Sequence, residues 1–181
     1  MSRLLVVALA GEGLLAGVAL VWIRLRGLGV GVGDLMPGLW MGFGAALLLG
    51  LVNYMVVRLA PPIRPVQAIR RLYHETLRPL FAEVGPLEIV GVSVAAGVGE
   101  ELLFRGAVQA EFGLVAASVL FGLAHISGRS SVVFGLWVAV MGFGLGGLAQ
   151  AAGGLLAPIV AHTVYDAMAI SYIRWAPEVR A

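Results

Sequence analysis

The chain lacks cysteine and lysine, and charge of either sign is scarce. Without cysteine there can be no disulfide, no thiolate zinc site and no cysteine nucleophile. All twelve basic residues are arginine, so no lysine serves as a base or forms a Schiff base. Only 12% of the 181 residues are charged, while 60% are hydrophobic. Ordinary soluble domains carry roughly 25% charged residues. Such a chain cannot cover a globule with polar surface. That excludes a water-soluble enzyme, a disordered chain, a coiled coil and a nucleic-acid binder. The composition predicts an all-α polytopic membrane protein whose first partner is the lipid bilayer.

Apolar stretches near 20 residues can cross a bilayer. Six candidates are visible, at 4–23, 35–59, 86–111, 114–127, 131–149 and 155–173. They predict a bundle of about six transmembrane helices. The fourth is short and is expected to tilt or to stop short of a full crossing. The first lacks a clear small-residue cleavage site and reads as a retained helix. Residues 60–85 differ in composition: four arginines and four prolines punctuate them, and Val66, Ile69, Leu72 and Tyr73 recur at helical spacing. This spacing predicts a basic amphipathic segment at the interface, with a solvated loop as the alternative. The expected division is therefore two N-terminal helices (1–59), an interfacial linker (60–85), a helical core (86–175) and a tail (176–181).

Arginine distribution sets orientation. With 60–85 on the cytoplasmic side, Arg3, Arg58, Arg64, Arg70, Arg71, Arg78, Arg129, Arg174 and Arg180 fall inside, and Arg24, Arg26 and Arg105 outside. That count favours a multi-pass protein with both termini cytoplasmic, in a bacterial inner membrane. The 26 glycines sit mostly inside apolar runs, where small residues let membrane helices approach closely.

An ionisable group in a membrane helix is costly, so each is a functional candidate. Glu100 and Glu101 interrupt the third segment, His125 ends the fourth, and His162 and Asp166 lie in the sixth. His162 and Asp166 are four apart and share a helix face, as do Glu101 and Arg105. Glu100 lies about 100° around the helix from Glu101, so the two carboxylates can have different partners. Counting about 1.5 Å per residue from the expected helix ends brings Glu100, His125, His162 and Asp166 to one layer of the bilayer. Glu12, flanked by glycines in the first segment, either lines a substrate path or pairs with an arginine. Asn53 and Tyr54 read as inter-helix hydrogen bonders and His74 as a surface histidine. A plain hydrogen-bonded network between helices would also satisfy these groups.

A carboxylate and a neutral imidazole flanking one water make a general-base pair. Glu100 and His125 suit that role. His162 can donate to a developing oxyanion, with Asp166 holding its tautomer. Glu100, His125 and His162 could instead ligate a divalent metal such as zinc. No H-E-x-x-H pair exists, and no serine lies in a nucleophile elbow.

Three motifs carry a resemblance. Glu100-Glu101 with Arg105, Phe121 with His125, and His162 with Asp166 resemble, in order, the E-E-x-x-x-R, F-x-x-x-H and H-x-x-x-N/D motifs of the CAAX prenyl protease and bacteriocin-processing family of intramembrane proteases. The string E-E-L-L-F-R-G is similar to that family's E-E-x-x-F-R-G. The resemblance covers roughly residues 86–173. It implies an intramembrane endopeptidase acting on a membrane-associated or lipidated peptide. It implies a catalytic set of Glu100, Glu101, His125, His162 and Asp166, with water activation by Glu100 and His125 and an oxyanion side formed by His162 and Asp166, and support from Arg105 and Phe121. Prenyl-processing members carry Asn at the last position; Asp stands there in many prokaryotic members. Members are often labelled metalloproteases, but a metal-free glutamate–histidine site needs no cofactor and fits these residues at least as well. The competing expectation is a non-catalytic binding, immunity or scaffold protein of the same fold. Neither the natural substrate nor the oligomeric state is legible.

Overall fold

In the computed structural model, residues 2–176 are described; Arg180 and the tail from 177 onward lie outside them. The described residues form helices and no strands. We label them α1 (Arg3–Arg26), α2 (Leu35–Leu59), α3 (64–80), α4 (86–112), α5 (114–124), α6 (Val132–Ala151) and α7 (Leu156–Trp175). Five stretches are long and apolar enough to cross a membrane, and Pro86–Ala124 is one of them, at 39 residues.

That long stretch is a hairpin. Gly113 has φ 85° and ψ 171°, backbone open to glycine but costly for other residues. Phe104 and Phe121 lie nine residues before it and eight after, yet their rings sit 5.0 Å apart. A straight helix would separate them by about 25 Å. The chain therefore reverses at Gly113, and the bundle has the expected six apolar helices. α5 ends at Ala124 with His125 as its cap. Its eleven residues span about 16 Å, roughly half of a hydrocarbon core. The short fourth segment thus stops inside the bundle, and its last residue is one of the candidate site residues.

α1 and α4 run parallel. The Ser2 N–H donates to Glu88 Oε1 at 2.7 Å at one end. At the other, Trp22 Nε1 donates to Glu111 Oε2 at 2.5 Å and Arg26 pairs with Glu111 at 2.7 Å. α7 packs between α2 and α4, and α5 packs on α6. Two glycines make these contacts close. A Cβ on Gly97 would meet the Thr163 side chain and lie 3.0 Å from its backbone nitrogen, so α4 and α7 touch there nearly backbone to backbone. Gly42 does the same for α2 against Ala157.

Residues 64–80 are helical, as their spacing predicts, with a π-wound turn at Tyr73–Leu77. Pro65 opens this helix at a position where a missing N–H costs nothing. Arg70 turns inward: its guanidinium donates to the carbonyls of Val57 and Ala60, at 2.9 and 2.8 Å, which caps the end of α2. Tyr73 packs with Val57 and Ile173 and donates to the Tyr172 carbonyl at 3.4 Å. Burial raises its phenol above the usual tyrosine range, so it remains an O–H donor. His74 is half-buried edge-on against Tyr73, 5.0 Å between rings, rather than a surface histidine.

Candidate active site

The carboxylates of α4 are treated in opposite ways. Glu101 is fully enclosed, and its Oε1 accepts from Arg105 NH1 at 2.9 Å and from His162 Nδ1 at 2.7 Å. Arg105 is equally buried; it donates also to the Gly142 carbonyl on α6 at 3.2 Å and lies 4.3 Å over the Phe121 ring. A buried ion pair of this kind holds only when both charges find further partners. This one ties α4, α6 and α7 together. Leu102–Val108 are wound as a π-helix, which widens the backbone directly after the pair; such turns often mark functional sites.

Glu100 has no such partner. Its Oε1 stands 3.9 Å from His125 Nε2 and its Oε2 3.8 Å from His162 Nε2. Those gaps are too long for direct hydrogen bonds, and Oε2 is enclosed without a donor. Glu100 is 15% exposed against 0% for Glu101, so it is the carboxylate that faces open space.

Each histidine has one nitrogen committed. His125 Nδ1 lies 2.8 Å from the Phe121 carbonyl, which only accepts, so Nδ1 carries the proton. Its Nε2 is then left as an acceptor facing Glu100. The Phe121 ring packs edge-on against the His125 ring at 4.9 Å. Phe121 thus sets His125 through both its ring and its carbonyl. His162 gives Nδ1–H to Glu101 and turns Nε2 toward Glu100 and toward Asp166 Oδ2, at 3.5 Å. Glu101, rather than Asp166, therefore holds the tautomer of His162. The sequence missed this contact, because it crosses from α4 to α7 and no spacing within one helix reports it.

Asp166 and His125 border a cavity of about 320 Å³ that opens toward α3. Tyr165, Trp137, Phe134 and Asn53 line it, with Ile69, Leu72 and Tyr73 from α3. Asn53 faces this space, and Trp137 forms part of its wall. α3 therefore forms one wall of this cavity. Glu12 also belongs near this cluster: His162 and Asp166 are its electrostatic neighbours. None of the described arginines pairs with it.

Glu100 thus stands between His125 Nε2 and His162 Nε2 without a direct bond to either, and with Nδ1 donating to Glu101, His162 Nε2 becomes a donor only in the imidazolium form. As a metal cage the site fits poorly. Among the described residues no three His, Asp or Glu side chains are spaced to hold an ion.

Comparison with known proteins agrees with the three motifs. Residues 83–168 match the family model for type II CAAX prenyl endopeptidase Rce1-like. That segment is similar to the Rce1-like family, whose model describes a type II CAAX prenyl endopeptidase. The chain is also 27% identical over 139 residues to the uncharacterized protein YpbD of Bacillus subtilis (strain 168), covering 76% of this chain and 69% of that protein. No solved structure matches.

Proposed function

We propose that the protein is an intramembrane endopeptidase that hydrolyses a peptide bond with water activated by Glu100 and His125. One observation carries this reading: Glu100 alone, of two adjacent carboxylates, faces the free nitrogens of two histidines from two other helices. The water attacks the scissile carbonyl while Glu100 takes its proton. His125 Nε2, an acceptor by its tautomer, orients the same water. His162 carries Nε2 beside the developing oxyanion; in its imidazolium form it donates there while Nδ1 stays on Glu101. Glu100 then returns the proton to the leaving amine nitrogen. Glu101, Arg105 and Phe121 position these groups without touching the substrate. Asp166 sits at the cavity mouth, where it meets the substrate or tunes His162.

No metal enters this scheme, and the lack of three His, Asp or Glu side chains at ligand spacing among the described residues supports that choice. The substrate is a peptide at or in the membrane, and the apolar cavity under α3 suits a chain arriving from the interface. The arginine distribution supports cytoplasmic termini in a bacterial inner membrane.

The test is cleavage of membrane-anchored peptides by the purified protein in liposomes. Glu100→Gln and His125→Ala are expected to abolish turnover while the protein stays folded. Metal-stripped protein is expected to cleave at the untreated rate. Normal turnover by either variant defeats the hydrolase reading, and loss of turnover on chelation that zinc restores defeats the metal-free one.

A further inference from the structure

α1 lies outside the segment that matches the family, yet it brings one acidic side chain to the site. The parallel pairing of α1 and α4, tied at Ser2–Glu88 and at Trp22–Glu111, sets Glu12 opposite Gly99. The approach is so close that a Cβ on Gly99 would fall 2.7 Å from both the Glu12 carbonyl oxygen and Glu12 Oε2. The Glu12 carboxyl thus lies over the residue before Glu100. Glu100 in turn has Glu12 among its electrostatic neighbours. Both Glu12 Oε2 and Glu100 Oε2 are enclosed and receive no hydrogen bond from the protein. Buried polar oxygens without partners require an explanation. Two carboxylate anions at this spot would repel each other, and the nearby Arg105 guanidinium is already committed to Glu101. A carboxylic acid beside a carboxylate has no such conflict, and it supplies the missing donor.

We propose that Glu12 is a positioning residue of the site: as the neutral acid, it donates its O–H to Glu100, directly or across one water, and fixes the carboxylate that activates the attacking water. The inference rests on the hydrolase reading above. Glu12 keeps its proton throughout. The proton that Glu100 takes comes from the water as the new C–O bond forms, and it leaves on the amine nitrogen as the C–N bond breaks. This role explains why α1 must pack so tightly at Gly99.

The experiment compares Glu12→Leu with Glu12→Gln in the full chain in liposomes. Leu fills similar volume and donates nothing, whereas the Gln amide donates as the acid does. Expected are a kcat more than about tenfold lower in the Leu variant at unchanged KM, and rescue of most of that loss by Gln. Wild-type kcat in the Leu variant overturns the proposal, as does a Gln variant as slow as Leu. A rise in KM alone also overturns it, because Glu12 would then be part of a substrate path. Infrared spectroscopy gives a second readout that needs no substrate and no Leu variant. Wild type and Glu100→Gln are expected to show the carbonyl stretch of a protonated carboxylic acid that Glu12→Gln lacks. Identical spectra for wild type and Glu12→Gln overturn the proposal. Normal cleavage by Glu100→Gln would instead sink the hydrolase reading, whatever the infrared band does.

Discussion

The N-terminal pair, α1 and α2, and the quartet α4–α7 are built from similar apolar residues but are used differently. In the most apolar window of α1 only 11% of residues are buried, and in α2 17%, against 33% in each stretch of the quartet. The pair presents most of its side chains to lipid, and its inner contacts are made by glycine and alanine such as Gly38, Gly42 and Ala46. The quartet buries Glu101, Arg105 and His162 and links them by hydrogen bonds across three helices. The matched family segment, 83–168, coincides with the quartet. The difference teaches that the helical bundle and the reaction chemistry are largely separable here. Membrane helices can associate by close packing alone, and in the quartet the Glu101–Arg105–His162 bonds add a polar tie that the N-terminal pair does without.

The largest effect that sharpens this contrast is on turnover. Glu100→Gln keeps shape and hydrogen-bonding capacity but removes the base. Turnover is expected to fall by about 10²–10⁴-fold, the usual worth of a general base, while detergent melting stays near wild type. A variant that unfolds instead would show that Glu100 is part of the scaffold.

Glu101→Gln is expected to act on the fold. It leaves the Arg105 guanidinium buried beside a neutral amide. Breaking a buried pair from one side costs about 3–5 kcal/mol. The readout is thermal or denaturant unfolding in detergent. Restoration of stability by the double change Glu101→Gln with Arg105→Met would show that the uncompensated charge was the cause. A stable single variant that only loses turnover would move Glu101 from support to chemistry.

How much of this was legible follows from the same contrast. Glu100, His125, His162 and Asp166 stood out in the sequence because each is expensive in a bilayer, and counting along the helices already placed them in one layer. The pairing of Glu101 with Arg105 followed from a four-residue spacing. What stayed hidden depends on packing between helices. The His162–Glu101 contact needs Gly97 to bring α4 onto α7, and nothing within α7 announces it. The short fourth segment hinted at an incomplete crossing, but only the turn at Gly113 shows that His125 caps a helix ending inside the bundle. Glu12 was visible as an oddity; its neighbour became clear only from the register that Glu88 and Glu111 impose on α1. The amphipathic period of 64–80 gave the helix but not its use as a cavity wall, since a helix that lies on lipid and one that lines a cavity share the same pattern.

Two glycines allow the same lesion in each region. Gly97→Ala strikes the α4–α7 contact and Gly42→Ala the α2–α7 contact. Overpacking of this kind costs about 1–3 kcal/mol, and both variants are expected to melt lower by similar amounts. Turnover should separate them. Gly97→Ala pushes Thr163 and so displaces His162 from Glu101, whereas Gly42→Ala shifts α2 on the far face of α7. Equal loss of turnover in the two variants would erase the distinction between pair and quartet.

The smallest expected effect comes from Glu111→Gln, at the clamp between α1 and α4. Glu111 accepts from Trp22 and Arg26, and the Arg26 side chain is 62% exposed. Exposed ion pairs contribute little, because solvent screens them and long side chains lose freedom in making them. The amide can still accept from Trp22. Turnover is therefore expected to match wild type, with only a slight drop in melting temperature that shrinks further in high salt. The clamp also sets the register that lays Glu12 over Gly99. A fall in kcat without loss of folding would mean that α1 slides when the clamp weakens and carries Glu12 away from Glu100. In that outcome the clamp at Glu111, and not only Glu12, would have to be counted with the quartet as part of the working site.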